Sequence, residues 1–349
     1  MKRVSLTTSL AFTAVALLAL VAPARAGITL TQAGIDDGFT LSTFVSGYSG
    51  QYGPLAQGIA PDGNVITGSM LTHQIYVFRD VDNQTLGDAI TSVPYTCETS
   101  NCNFAMATAG GQVYGAQAFG GVYYHFANDG TFTPIPNLQA DGLFGNLGIW
   151  GNPVNGHLIA SSNKGLVDIN PVAGTFRVIN AGLFPDGVSV SPDGTIAYVE
   201  NGGAIQSYRI SDGSLINTFL TGHSPDGTGV ITGGVFNGDV IVNDNDGTVG
   251  LLDPSTGLFA IIANGGTRGD FVSVDTSNGT LFLSQNEQVV RLTCGANCSF
   301  GGAPEPGTLA LLGTGVAAAG AVTAGPSTLA GLGLAGLAAF RRRIRGIFR

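Results

Sequence analysis

Positive charge is scarce in the body of this 349-residue sequence: between residues 27 and 302 only six lysines and arginines face 22 aspartates and glutamates, a net charge of −16. Such a field repels phosphate backbones and anionic lipid, so nucleic acid is excluded as a partner, while divalent cations and cationic surfaces suit it. An acidic surface also serves solubility alone. Cysteine is limited to four, in two close pairs, Cys97 with Cys102 and Cys294 with Cys298. A four-thiolate metal site needs both pairs to converge from opposite ends of the domain. Two local disulfides need only an oxidising compartment and are the expected pairing, with loops too short to add much stability. A 3.6-residue apolar period is missing, which removes helical solenoids. Glycine-rich phosphate loops, G-x-S-x-G elbows and H-E-x-x-H motifs are missing too, and with them the chemistries those motifs carry. What remains is rich in glycine, 54 in all, and in short β-branched runs such as Val65-Ile66-Thr67 and Val240-Ile241-Val242. The class this predicts is all-β.

Both ends differ from the body. Met1-Lys2-Arg3, an apolar run from Leu10 to Val21 and the small residues of Ala22-Pro23-Ala24-Arg25-Ala26 make residues 1–26 a secretory signal, with export-peptidase cleavage expected after Ala26. At the other end Ala303-Pro304-Glu305-Pro306-Gly307-Thr308-Leu309 leads into an apolar segment, 308–340, followed by Arg341, Arg342, Arg343 and Arg345. A Pro-Glu-Pro motif, an apolar segment and an arginine cluster (341–345) together resemble the PEP-CTERM sorting signal, here residues 303–349. The apolar segment partitions into the bilayer while the arginines stay on the cytoplasmic side. The resemblance implies transient anchoring in the inner membrane, cleavage near Pro304-Glu305-Pro306 by an exosortase, and delivery to the cell surface or the extracellular matrix. The segment is longer than the roughly 20 residues that span a bilayer, and Gly325-Pro326 interrupts it. A partly duplicated tail and a retained transmembrane helix both account for that.

Residues 27–302 contain a repeat. Phe184-Pro185-Asp186-Gly187-Val188-Ser189-Val190 returns as Ser224-Pro225-Asp226-Gly227-Thr228-Gly229-Val230 and as Arg268-Gly269-Asp270-Phe271-Val272-Ser273-Val274. Earlier copies begin near Phe144-Gly145-Asn146, near Asn103 and near Leu55-Ala56-Gln57-Gly58. Six units spaced by about 40 residues, each with hairpin turns such as Asn128-Asp129-Gly130, Ser211-Asp212-Gly213 and Asp246-Gly247, predict a six-bladed β-propeller. The strand from Phe39 to Val45 is expected to complete the last blade.

In a propeller the innermost strands border a central channel, so a polar residue recurring at their starts is presented to the axis. Those positions are Asn103, Asn146, Asp186, Asp226 and Asp270, with Leu55 at the equivalent place in the first unit and Gln57 two residues on. Their amide and carboxylate oxygens suit calcium or another divalent cation. Asp before Gly also caps turns through its own backbone, and that reading stays open. The repeats resemble the gluconolactonase or regucalcin-like group and the NHL-type propellers. That resemblance implies a lactonase metal site, with Asn146 and Asp186 matching an Asn and an Asp ligand and Asn103 matching a substrate-contacting Asn. Gln57 stands for the group's Glu and supplies no charge, which weakens metal binding and water activation. The expectation is therefore a binding or structural module for an extracellular polysaccharide or protein; the alternative is a metal-dependent, lactonase-like hydrolase, with Asp226 or Asp270 replacing the missing acid.

His223 precedes Ser224-Pro225-Asp226, a placement similar to the axial histidines of streptogramin lyase propellers. A turn or solvent-facing role is expected for it and for His73, His125 and His157. Asn243-Asp244-Asn245-Asp246-Gly247 resembles a calcium loop, but Val242 stands at the first ligand position, so a hairpin turn is expected there.

Overall fold

A computed structural model describes residues 27–50, 52–98 and 102–295. The predicted signal, the sorting tail and Cys298 lie outside them. The described residues fold as six sheets, antiparallel but for one short parallel pair in the last, arranged as a propeller. Blade one runs Pro54–Ile59, Val65–Ser69, Gln74–Phe78, Thr91–Pro94, and blade two Phe104–Ala109, Gln112–Gln117, Tyr123–Phe126, Phe132–Pro134. Blade three runs Gly145–Gly151, Leu158–Ser162, Gly165–Asn170, Thr175–Asn180, and blade four Val188–Val190, Ile196–Asn201, Ala204–Arg209, Leu215–Phe219. Blade five runs Pro225–Val230, Val240–Asp244, Val249–Asp253, Leu258–Asn264, extended by Thr29–Leu30. In blade six, Val272–Asp275, Thr280–Ser284 and Gln288–Thr293 are followed by Thr40–Ser46 from the start of the domain. All six units of the repeat are blades, and the N-terminal strand closes the ring as the sequence predicts. Among the described residues the one α-helix is Gln32–Asp36, and no helix is long and apolar enough to cross a membrane.

The burial gradient follows from the architecture. Inner strands pack against adjacent blades on both faces and pair with the second strand along one edge, and Pro54–Ile59, Phe104–Ala109 and Pro225–Val230 are buried throughout. Outer strands such as Thr91–Pro94 alternate, and Leu215–Phe219 is largely exposed. Apolar side chains fill the spaces between adjacent sheets: Leu55, Ile66 and Ile75 of blade one share a cluster with Phe104, Met106 and Val113 of blade two. Burial of this kind is the main favourable term in folding.

The repeated Asp-Gly dipeptides have a packing cause. A Cβ added at Gly187 would stand 2.0 Å from the Asp226 carbonyl oxygen, and one at Gly227 would stand 2.1 Å from that of Asp270. Each glycine lets one inner strand pass against the aspartate of the next blade, so these dipeptides are blade-to-blade contacts and not turns. Asp212-Gly213 and Asp129-Gly130 are turns, with positive φ at both glycines. Asp246-Gly247 is also a turn, but it joins the second and third strands of blade five, not the third and fourth.

Closure rests on more than strand pairing. Thr40–Ser46 pairs antiparallel with Gln288–Thr293, Thr40 opposite Thr293 and Ser46 opposite Gln288. The nearly buried Arg291 binds Asp275 within blade six at 2.7 Å and reaches Asp82 at 2.8 Å and Asp80 in the segment leaving blade one's third strand. Its guanidinium lies 5.2 and 4.7 Å from the ring centroids of Phe44 and Phe282. Gln84–Thr85, from blade one, then pairs in parallel with Val45 and Ser46.

Candidate functional site

One face of the ring carries both the connections between blades and the turns between second and third strands. Five of the sequence-predicted positions lie at the starts of inner strands there, whereas Gln57 is the fourth residue of Pro54–Ile59. Asn146 and Asp226 lie in their inner strands, Asn103 immediately precedes one, and Asp186 and Asp270 each precede one by two residues. In blades one, three and five the register between first and second strands shifts at this end, across Pro54/Gln57, Gly145/Ile149 and Pro225/Gly227. Such bulges re-aim side chains beside functional sites.

Asp186, Asp226 and Asp270 form one electrostatic group, joined by two residues that sequence reasoning missed, Arg268 and Glu200. Arg268 is bridged to Asp226 at 2.8 Å and to Asp270 at 2.6 Å. Its guanidinium also lies 4.6 Å from the ring centroid of Tyr52. Asp226 is 2% exposed and Asp270 7%. Burial and the neighbouring carboxylates Asp270 and Glu200 push Asp186 up to about 7, against the pull of Arg268. Burial, then Asp186 and Asp270, raise Asp226 as well, with Arg268 opposing. Burial also raises Asp270, again against Arg268, and Glu200. Four acids around one guanidinium in a low-dielectric site cannot all ionise cheaply, and proton uptake relieves the repulsion.

Gln57 is placed apart from this group. Its amide nitrogen donates to the Leu55 carbonyl, to Ser284 Oγ at 3.1 Å and to Thr67 Oγ1 at 3.3 Å, which seats it in the wall between blades one and six. Asn146 donates to Ser161 Oγ at 3.2 Å, while the side-chain carbonyl oxygens of Asn103 and Asn146 are buried without a partner.

The Gln57 side-chain carbonyl oxygen is buried without a partner as well. Asp226 and Asp270 are committed to Arg268, and the Gln57 amide nitrogen is turned into the wall. The oxygens of Asp186, Asp226 and Asp270 do not gather as a trio within 4.8 Å. The cavity between the inner strands, lined by Ile149, Asp186, Val188, Asp226, Phe271 and Val272, offers about 10 Å³, room for roughly one water. A groove of about 540 Å³ lies beside it, lined by Asn245, Asp246, Gly265, Gly266, Thr267, Arg268 and Asn286. That is within the range of small-molecule sites.

The histidines have local partners. His157 Nδ1 is 2.8 Å from Asp168, His125 Nε2 is 2.9 Å from Gln112, and His73 lies against the Tyr95 ring. His223 Nδ1 is 2.8 Å from Asp246, on the hairpin that residues 243–247 form as expected. Cys97 and Cys102 are disulfide-bonded in the connection from blade one to blade two. Cys294 is buried, and its expected partner Cys298 lies outside the described residues.

No family model and no curated protein matches the chain. Solved structures do. A candidate gluconolactonase from a structural-genomics programme superposes with a TM-score of 0.56 at 13% identity, covering 80% of this chain and 100% of that one. A gluconolactonase of Xanthomonas campestris gives 0.54 at 13% identity, over 76% of this chain and 94% of that one. A luciferin-regenerating enzyme gives 0.55 at 12% identity, over 76% and 98%. Shared architecture at such identity is a statement about fold alone: this chain is a six-bladed β-propeller of the kind that gluconolactonase-like enzymes also use.

Proposed function

We propose that the chain is an exported binding propeller, displayed at the cell surface or in the extracellular matrix, whose connection-bearing face holds a polysaccharide or protein ligand. Residues 1–26 direct export, and the Pro304-Glu305-Pro306 tail with Arg341, Arg342 and Arg343 directs sorting through an exosortase. The single observation that carries the non-catalytic reading is Arg268. A guanidinium bridges two of the axial carboxylates and supplies from within the chain the positive charge that a hydrolase of this fold takes from a metal. The 540 Å³ groove beside Arg268 offers ligand-sized space on that face.

The second reading is a lactonase-like hydrolase, favoured by the activity named for the gluconolactonases of this fold. Asn146 and Asp186 would be its ligands, and Asn103 would contact the substrate. The two readings separate in one experiment: hydrolysis of gluconolactone by the purified chain with calcium, magnesium, manganese or zinc, beside retention of the chain on immobilised extracellular polysaccharide. Binding without lactone turnover is the expected result. Metal-dependent turnover abolished by Asp186→Asn and Asn146→Ala would replace the binding reading with the hydrolase. Mass spectrometry of the exported protein tests the ends, with a mature N-terminus at Gly27 and loss of the tail beyond Pro304-Glu305-Pro306 as the expected outcome.

A further inference from the structure

A second group of ligand atoms stands on blade five, on side chains other than the axial carboxylates. His223, in the connection entering the blade, and Asp244 and Asp246, at the turn between its second and third strands, bring one ligand atom each within 4.8 Å of one another. His223 Nδ1 is 2.8 Å from Asp246 Oδ2, a spacing that two ligands of one metal ion also adopt. Thr248 Oγ1 stands between the two acids, 2.6 Å from Asp246 Oδ1 and 3.1 Å from Asp244 Oδ2.

Counting protons shows what this arrangement lacks. A threonine hydroxyl has one hydrogen, so it cannot donate to both carboxylates at once. Asp246 has other donors: the Thr248 backbone N–H at 3.1 Å and the imidazole of His223. Asp244 has none besides that shared hydroxyl. It is fully buried, and its Oδ1 has no hydrogen-bond partner. A buried carboxylate left this short of donors is costly, and a bound cation removes the cost. His223 and Asp246 remain accessible, with 30% and 42% of their side-chain surface exposed, so an ion can enter from solvent and keep open coordination positions. Phe259 backs the imidazole, its ring centroid 5.9 Å away.

We infer that His223, Asp244 and Asp246 form a binding site for a divalent transition-metal ion of the zinc or manganese class. One imidazole nitrogen with two carboxylates suits those ions better than calcium, which prefers oxygen alone. The two carboxylates neutralise the dication, and Thr248 orients them. Asp246 also lines the 540 Å³ groove that Arg268 borders. The site shares no ligand with the axial residues, and its bearing on the groove rests on the function proposed above.

The test is a zinc titration of the full chain by calorimetry with its disulfides kept oxidised, repeated with cobalt(II) to read the ligand field by visible absorption. Saturable binding at one ion per chain is expected, weakened at least 10-fold by His223→Gln and by Asp246→Asn. His157→Gln, which alters a histidine–aspartate pair lacking a second acid, should bind as the wild type does. Thermal melts of each variant confirm that loss of binding is not loss of fold. Absence of one-to-one binding by the wild type, or undiminished binding by both variants, overturns the site. Binding abolished by Asn146→Ala but kept in His223→Gln assigns the ion to the axis and overturns it equally.

Discussion

Replacing Arg268 with methionine removes the one positive charge that faces two buried carboxylates while keeping an apolar stem of similar length. Asp226 and Asp270 are almost wholly buried and bridged to Arg268 at 2.8 and 2.6 Å. Breaking a buried ion pair from one side costs about 3–5 kcal/mol when the orphaned charge stays ionised. Here the orphan has an escape, since either aspartate can take up a proton. Without Arg268 both folded-state pKa values rise further above the unfolded value. A raised carboxylate holds its full stability below the unfolded pKa and loses it as pH climbs through the folded one, by about 1.4 kcal/mol per unit and per group. The Arg268→Met penalty should therefore be about 3–5 kcal/mol at pH 8 and shrink to roughly 1–2 kcal/mol near pH 5. Urea denaturation at the two pH values reads both numbers from the midpoint shifts. Adding Asp226→Asn and Asp270→Asn should recover most of the loss at pH 8. A penalty below about 1 kcal/mol at pH 8, or one independent of pH, would refute the claim that Arg268 neutralises these acids.

Three further outcomes follow from the same structure. Asp186, pushed up to about 7, holds a proton in the folded state that the unfolded chain releases near 4, so it loses stability for the protein as pH rises between those values. Asp186→Asn should flatten that slope and make the chain more stable than wild type at pH 8 by about 2–4 kcal/mol, and melts from pH 4 to 8 that show a steeper slope would contradict it. Gly187→Ala forces a methyl group against the Asp226 carbonyl oxygen and should cost about 1–3 kcal/mol, seen as a lower urea midpoint. Arg291→Met strands three carboxylates at the ring closure, and a loss of about 3–5 kcal/mol at neutral pH is expected from chemical denaturation.

The architecture was legible because repetition makes it so. A strand pattern that recurs every 40 residues averages out local ambiguity, and a leftover strand before the first unit has one place to go. The axial aspartates were legible for the same reason, since position within the repeat fixes their place in the ring. What the repeat does not encode was missed. Glu200 is the penultimate residue of the second strand Ile196–Asn201, where it reads as an ordinary strand residue. Arg268 precedes Asp270 by two residues and looked like a repeat position; only the curvature of the ring brings it to Asp226 of the preceding blade. Gln57 has the right position along its strand, but Thr67 and Ser284 offer its amide hydrogen-bond partners inside the wall. At the blade entries the Asp-Gly pairs answer to a carbonyl on a neighbouring blade, 39 residues on for Gly187 and 43 for Gly227. The metal-like trio of blade five was hidden by sequence separation, since His223 and Asp246 meet only when the connection and the hairpin are folded onto one face.

The closing pair of strands also sets how the domain answers a pull. Thr40 and Thr293 sit opposite one another, their hydroxyl groups in contact, where the first blade-six strand of the chain begins and the last one ends. Tension applied between these two points peels the pair from one end, breaking its hydrogen bonds singly and not in parallel shear. Arg291, two residues in from Thr293, with its three carboxylates, is then the rivet at which such a tear would stall.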